Sequence, residues 1–215
     1  MIEMIDNHRR KFLRFGLAAV TASAVTASIV AAPRALHAAI TTPDRVFIAR
    51  IESYLNSITT MRASFLQIAS TGELARGTFY MRRPGRLRIE YAPPSPVLIV
   101  ADGHRLTYYD KELETANVAP IDDTLAGFLA REHISFDGDV AVIAFVRGRG
   151  TARITVSRRA EPEGGTLTLV FDDNPIRLRQ WEVTDPQGTR TRVALEAPEF
   201  GMALADELFE VSEPD

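Results

Sequence analysis

The sequence contains no cysteine. That single absence excludes thiol nucleophiles, disulfides, zinc–thiolate sites and iron–sulfur clusters, and with them the acylated cysteine that anchors a bacterial lipoprotein. Histidine is nearly as scarce, with four in the chain. His8 and His37 lie near the N-terminus, which leaves His104 beside an Asp-Gly pair and His133 as surface or hydrogen-bonded residues, too few for a His-rich metal site. No Gly-x-Ser-x-Gly elbow, phosphate-cradling Gly-rich loop or His-Glu-x-x-His pattern occurs. Lysine is confined to Lys11 and Lys111, so nearly every cation is arginine, a bias we read as genome composition. The 25 basic and 28 acidic residues give a formal charge of -3, without the basic surplus of a nucleic-acid binder. The acidic pairs Asp122-Asp123, Asp172-Asp173 and Asp206-Glu207 read as caps of turns and helix starts or as solvated charge. These features assign no catalytic residue, metal site or cofactor; two carboxylates far apart in the chain, as in glycosidases, stay open on the sequence alone.

What is present begins with an export signal. Arg9-Arg10-Lys11-Phe12-Leu13-Arg14 forms a cationic cluster, and residues 15–32 follow without a charge, rich in Ala, Val, Thr and Ser. This layout is that of a signal peptide, and the paired arginines with a weakly apolar middle are similar to a twin-arginine leader. Leu36-His37-Ala38-Ala39 offers an imperfect cleavage site. The alternative is a retained anchor, which the Thr and Ser content and Pro33 disfavour. We therefore expect residues 1–39 to be the leader and 40–215 one exported domain. Without the leader, 20 basic residues face 26 acidic ones, a formal charge of -6.

Thr42-Pro43-Asp44 supplies a cap, a first-turn proline and an early acid. Phe47, Ile51, Tyr54, Leu55 and Ile58 then recur at helical spacing. Beyond them the period changes to two. Phe79 and Met81 alternate with Thr78 and Tyr80, and Leu87, Ile89 and Tyr91 alternate with Arg86, Arg88 and Glu90, giving strands with one dry and one charged face. The alternation returns at Leu106/Tyr108, Ile154/Val156, Leu167/Leu169/Phe171, Trp181/Val183 and Val193/Leu195. Turn residues punctuate it at the spacing of antiparallel hairpins. Helical spacing reappears at residues 122–131, and at 139–147, where a strand is the alternative. About ten strands and a few helices imply a mainly β, α+β fold: a sheet curled into a half-open antiparallel barrel, plugged by helices over an apolar cavity. The face carrying Phe79, Met81, Leu87, Ile89 and Tyr91 is the expected lining. Arg83 shares the parity of Phe79 and Met81, whereas Arg82 points the other way. Whether Arg83 faces inward or belongs to the turn is an even choice on parity alone, and an inward guanidinium needs oxygens to replace its water.

Five pieces in succession carry a family resemblance: Met61-Arg62-Ala63-Ser64-Phe65-Leu66-Gln67, Gly77-Thr78-Phe79-Tyr80-Met81-Arg82-Arg83-Pro84-Gly85-Arg86-Leu87-Arg88, Tyr91-Ala92-Pro93-Pro94, Ile99-Val100-Ala101-Asp102-Gly103 and Tyr108-Tyr109-Asp110. In order and spacing the chain resembles the LolA-like outer-membrane lipoprotein carriers. The resemblance implies a half-open barrel with a helical lid, a periplasmic location, lipoprotein acyl chains as cargo, no cofactor, and action as a monomer between an inner-membrane release complex and an outer-membrane acceptor. It also implies that Arg83, at the position before the turn proline, bonds to the lid and helps it open and close, which favours the inward reading. Two features depart from the pattern. The twin-arginine-like leader is unexpected there, and the short, Pro-rich stretch Ala92–Pro96 lacks the protruding apolar loop of the acceptor relatives, so the chain looks like a carrier more than an acceptor. The competing readings are a carrier of free lipid, a periplasmic sensor acting by protein contact, and, last, a lipid-cleaving enzyme.

Overall fold

The computed structural model describes residues 40–124 and 127–211, so the expected leader lies outside the described residues. Helix α1 (Thr42–Ser57) is capped by Thr41, one residue earlier than the sequence pattern indicates. Thr41 and Asp44 form a reciprocal capping box, with Pro43 in the first turn. The Thr41 hydroxyl and backbone N–H both donate to Asp44 and hold its carboxyl below the usual range. The buried stripe is Phe47, Ile48, Ile51 and Leu55, and Tyr54 packs beside it.

Eleven strands follow: β1 (Thr60–Ile68), β2 (Leu74–Arg82), β3 (Arg86–Tyr91), β4 (Val97–Asp102), β5 (Arg105–Asp110), β6 (Thr115–Pro120), β7 (Val140–Gly148), β8 (Thr151–Arg158), β9 (Thr166–Asp173), β10 (Ile176–Thr184) and β11 (Arg190–Phe200). They make one antiparallel sheet in the order β6-β5-β4-β3-β2-β1-β11-β10-β9-β8-β7, which leaves β6 and β7 as edges, so the barrel is not closed. The sheet nevertheless curls. Phe79 on β2 and Trp181 on β10 have ring centroids 5.3 Å apart although β1 and β11 lie between their strands. On a flat sheet, three strand spacings of about 4.8 Å plus the register offset would hold their Cα atoms ~19 Å apart, beyond the reach of both rings.

The concave face holds the main core, and α1 crosses it at the end where β2 turns into β3. Phe47 meets Phe145 of β7 at 6.2 Å and lies under the Arg147 guanidinium at 4.0 Å. Tyr54 meets Phe171 of β9 edge-on, and its hydroxyl accepts the Leu178 N–H of β10 at 3.1 Å. The chain between the edge strands, residues 121–139, carries the short helix α2 (Gly127–Ala130) and buries Phe128, Ile134 and Phe136.

Several local expectations change. Of the helix expected over 122–131, the described residues form a 3-10 turn (Ile121–Asp123) and α2. Thr124 breaks the segment: its hydroxyl donates to Ile121 O and accepts the Gly127 N–H. Over 139–147 the strand alternative holds, as β7 (Val140–Gly148), and the helix does not. A bulge between Val142 and Ala144 puts Val142 and Phe145, three residues apart, against the same core and so mimics a helical period. β4 escapes a search for alternation because Val97–Ala101 are all buried. Its outward Leu98 and Val100, with Tyr109, form a second small cluster on the convex face. The C-terminal segment, residues 201–211, covers that face with a 3-10 turn (Asp206–Phe209) that buries Phe209.

Candidate functional site

The site is built where the β2–β3 turn meets both helices. β2 ends at Arg82, yet the Arg83 backbone N–H still donates to Thr59 O at 2.9 Å, which keeps Arg83 in the inward parity. Turn residue and inward-facing residue are therefore compatible descriptions. Arg83 Nη1 donates to Leu55 O at 2.6 Å, and Nε and Nη2 donate to Leu129 O at 3.1 and 2.9 Å. Those carbonyls belong to the last turns of α1 and α2, where negative partial charge collects; Leu55 O also accepts the Ile58 N–H at 3.2 Å. Neither helix carries a basic residue in its last turn, and Arg83 supplies that cation to both from the sheet. Burial alone drives the Arg83 guanidinium down to about 10.

Further backbone contacts close the same joint. Gly85 donates to Ala130 O at 2.7 Å, and the Asn56 side chain exchanges two hydrogen bonds with the Ile134 backbone at 2.8 and 2.9 Å. Gly85 is required by its φ of +70° and by the packing of the turn on Gly103.

The expected lining residues descend from this joint in register. Met81 pairs with Leu87, Phe79 with Ile89, and Gly77 with Tyr91. Phe79, Met81, Leu87 and Tyr91 are buried, and Ile89 is half-buried against the same core as α1 and α2. Met81 and Leu87 lie next to Arg83, whereas Tyr91 sits at the far end, donating to Gln67 Oε1 at 2.7 Å, with desolvation lifting its phenol to about 12. Gly77 makes room there, because a Cβ would stand 2.7 Å from the Phe65 ring that meets Tyr91 edge-on.

On the convex face of the same hairpin, Arg82 and Arg86 both bond Asp206, Arg82 also bonds Leu204 O, and Arg88 donates to Leu208 O at 3.3 Å. The Arg82 guanidinium lies over the Phe209 ring, 5.1 Å from its centroid. Asp206 is thus an ion-pair partner and makes no cap, and Asp172 and Asp173 pair with Arg179 and Arg147. Sequence patterning missed this clamp. Asp206 is visible as an acid, but nothing in its spacing links it to arginines some 120 residues away. His104 and His133 are exposed, as expected.

Residues 56–212 match the profile of the family described as "Outer membrane lipoprotein carrier protein LolA". That span contains Arg83, α2 and the C-terminal segment. Among curated proteins, an outer-membrane lipoprotein carrier protein of Legionella pneumophila (strain Lens) is 31% identical over 172 residues, covering 76% of this chain and 84% of that one. One from Methylococcus capsulatus (strain Bath) is 26% identical over 182 residues, covering 81% of this chain and 85% of that one. Among solved structures, the LolA superfamily protein NE2245 of Nitrosomonas europaea aligns with a TM-score of 0.44 at 11% identity, over 76% of this chain and 97% of that chain.

Proposed function

The chain belongs to the outer-membrane lipoprotein carrier family LolA, and from that premise we propose a periplasmic chaperone that takes lipoprotein acyl chains against its concave face and ferries them from inner to outer membrane. The observation that carries the reading is the Arg83 joint: three hydrogen bonds to two helix termini pin α1 and α2 over an apolar floor. In this reading the leader is removed near Ala39, the exported domain acts as a monomer, and an inner-membrane release complex and an outer-membrane acceptor are its partners.

Magnitudes favour a joint that yields to cargo. Charge-assisted bonds such as those of Arg83 are worth about 1.5–3 kcal/mol each. An acyl chain of ~15 methylenes gains about 0.8 kcal/mol for each one removed from water, ~12 kcal/mol in all. Acyl chains entering between floor and lid exchange dry contacts for dry contacts, so the principal added cost is breaking the joint. Relocking after departure favours release, since Arg83 regains its carbonyls only when the helices return. No step makes or breaks a covalent bond.

Native mass spectrometry of the chain purified from its own periplasm tests this reading. Masses of acylated polypeptide on the folded chain are expected. Phospholipid or fatty acid alone would redirect the reading to a carrier of free lipid, and an absence of acyl material together with no saturable binding of a dye that fluoresces in dry surroundings would end it.

A further inference from the structure

The β7–β8 hairpin carries charge of one sign. Residues 140–159 hold five arginines, Arg147, Arg149, Arg153, Arg158 and Arg159, and no acid, whereas the rest of residues 40–215 has 15 basic residues against 26 acidic ones. β7 is an edge of the sheet, so one side of the hairpin has no neighbouring strand. The acids nearest its tip are already engaged: Asp173 by Arg147 at 3.6 Å, Asp172 by Arg179 at 3.2 Å, and Asp44 in its capping box. Arg159 donates to Gly138 O at 2.9 Å. Arg149 and Arg153 are exposed and make no ion pair or side-chain hydrogen bond among the described residues.

The turn and the register spread these cations around the tip. Arg149 and Gly150 form a two-residue loop with φ of +54° and +80°, the backbone of a type I′ hairpin turn. Its first position favours Asn, Asp or Gly, and this chain holds a long cation there in the left-handed region. Arg147 lies opposite Ala152 and over the Phe47 ring, on the concave side, whereas Arg153 lies opposite Val146, on the convex side. Between them runs an uncovered apolar rim, with Val146 63% and Ile143 36% exposed.

We infer that the tip and outer edge of this hairpin dock on the surface of a membrane that contains anionic phospholipid, with the arginines among the phosphates and Val146 at the upper acyl carbons. A flat, diffuse anionic surface is the partner that this arrangement fits. The cations ring the tip instead of lining a groove, and the exposed apolar side chains are aliphatic, without the aromatic anchor that a peptide interface favours. The acidic remainder supplies orientation, because approach by the rest of the domain turns net negative charge toward the lipid. The bare main-chain edge of β7 stays in the hydrated headgroup layer, where water satisfies it. This surface lies outside the concave face, and the inference stands independently of acyl carriage.

The test is cosedimentation of the chain purified from its own periplasm, as wild type and variants, with sucrose-loaded vesicles. At about 0.1 M salt, partition onto phosphatidylcholine containing about 30% phosphatidylglycerol should exceed that onto phosphatidylcholine alone by at least tenfold, and about 0.5 M salt should remove the difference. One arginine near an anionic surface is worth roughly fivefold in partition, so Arg149→Glu with Arg153→Glu should lower it at least tenfold, and Lys at both positions should preserve it within about twofold. Val146→Ser should lower it about threefold. Arg190→Glu, the same charge change on an exposed residue at the opposite end of the strands, should leave it within about twofold. No preference for anionic vesicles overturns the inference, as does an equal loss in Arg190→Glu. Binding to soluble polyglutamate without partition onto vesicles would make the partner an acidic polypeptide and reject the membrane. The Glu variants should bind a dry-pocket dye as the wild type does, so failure of docking and failure of acyl binding are read separately.

Discussion

Arg82 and Arg83 are consecutive, yet their guanidinium groups hold opposite faces of one hairpin by different chemistry. On the convex face, Arg82 shares a carboxylate with Arg86 and covers an aromatic ring. On the concave face, Arg83 has carbonyls for partners, offered by two helix ends. A cation facing a carboxylate is compensated by a full opposite charge. One facing carbonyls is compensated only by dipoles, and burial leaves Arg83 lowered to about 10. The outer contact therefore behaves as a clamp that adds stability. The inner one ties two helix ends to the sheet through carbonyls alone, and parting them costs the buried guanidinium its bonds unless water or other oxygens replace them.

The largest expected effect separates the two by substitution. Arg83→Leu removes the joint but leaves an apolar side chain over an apolar floor, so acyl binding should be normal or tighter while transfer to acceptor membranes falls by at least tenfold. Because relief of the guanidinium's desolvation offsets most of the lost bonds, its melting temperature should stay within ~2 °C of the wild type. Arg82→Leu should do the reverse, lowering stability by about 1–2 kcal/mol, or roughly 2–8 °C, with transfer preserved. Acyl-ligand affinity, transfer and calorimetry on the same two variants decide it. Weakened acyl loading by Arg83→Leu would make Arg83 an anchor for the cargo's polar atoms and not a joint.

A second substitution probes the floor beneath the joint. Ile89→Glu places a carboxylate on the face shared with Phe79, Met81 and Leu87, at the position that is half-buried and so best able to accept it without unfolding. Displacement of a dry-pocket dye by fatty acid should weaken by roughly tenfold or more, since an unpaired carboxylate meeting hydrocarbon costs a few kcal/mol. Unaltered dye binding in a folded variant would move the acyl site away from this face.

The concave side of this comparison was far more legible in the sequence than the convex side. Period-two alternation marks Phe79, Met81, Leu87, Ile89 and Tyr91 because a half-buried strand repeats its environment every second residue. The same parity points Arg83 inward. What the pattern does not contain is the partner: Leu55 and Leu129 bond through backbone carbonyls, which every residue has. The bulge in β7 and the two-sided burial of β4 hide those strands for geometric reasons, one by shifting the period and the other by erasing it. β6 is hidden by the opposite cause, being an edge strand exposed along nearly its whole length, with no apolar face to reveal it. On the convex face, Arg86 and Arg88 read as a solvated charged stripe. The structure instead uses them to hold Asp206 and Leu208, a long-range pairing for which charge patterning has no signal.

Salt should divide the two faces by a smaller margin. Raising ionic strength from about 0.1 M to about 1 M shortens the screening length from ~10 Å to ~3 Å. The exposed ion pairs of Asp206 lie within reach of that screening, whereas Arg83 is shielded by the helices it joins. Hydrogen exchange at the amides of Phe209 and Glu210 should accelerate severalfold in high salt, and exchange at Gly85 and Ile134, which belong to the inner joint, should not change. Equal acceleration at both would mean that the joint is as wet as the clamp.

The smallest expected effect is on pH, and its sign follows from which state holds the proton less tightly. Burial in the closed joint lowers the Arg83 guanidinium from 12.5 to about 10, so the closed state binds that proton more weakly than an open state in which the group is hydrated. Below about pH 9 the group is charged in both states, and the closed fraction should be flat from pH 5 to 8 as far as Arg83 is concerned. As pH rises toward 10, closure should become slightly more favourable, because burial disfavours the charged form of Arg83 in the closed state. Exchange protection at Gly85 in the wild type and in Arg83→Gln, whose neutral amide has no such titration, isolates the effect. Protection should rise toward pH 10 in the wild type alone once the intrinsic exchange rate is divided out. A fall in the wild type over that interval would mean that the charged form, and not the neutral one, is what the closed joint prefers, and the contrast between a charge-compensated clamp and a dipole-compensated joint would have to be abandoned.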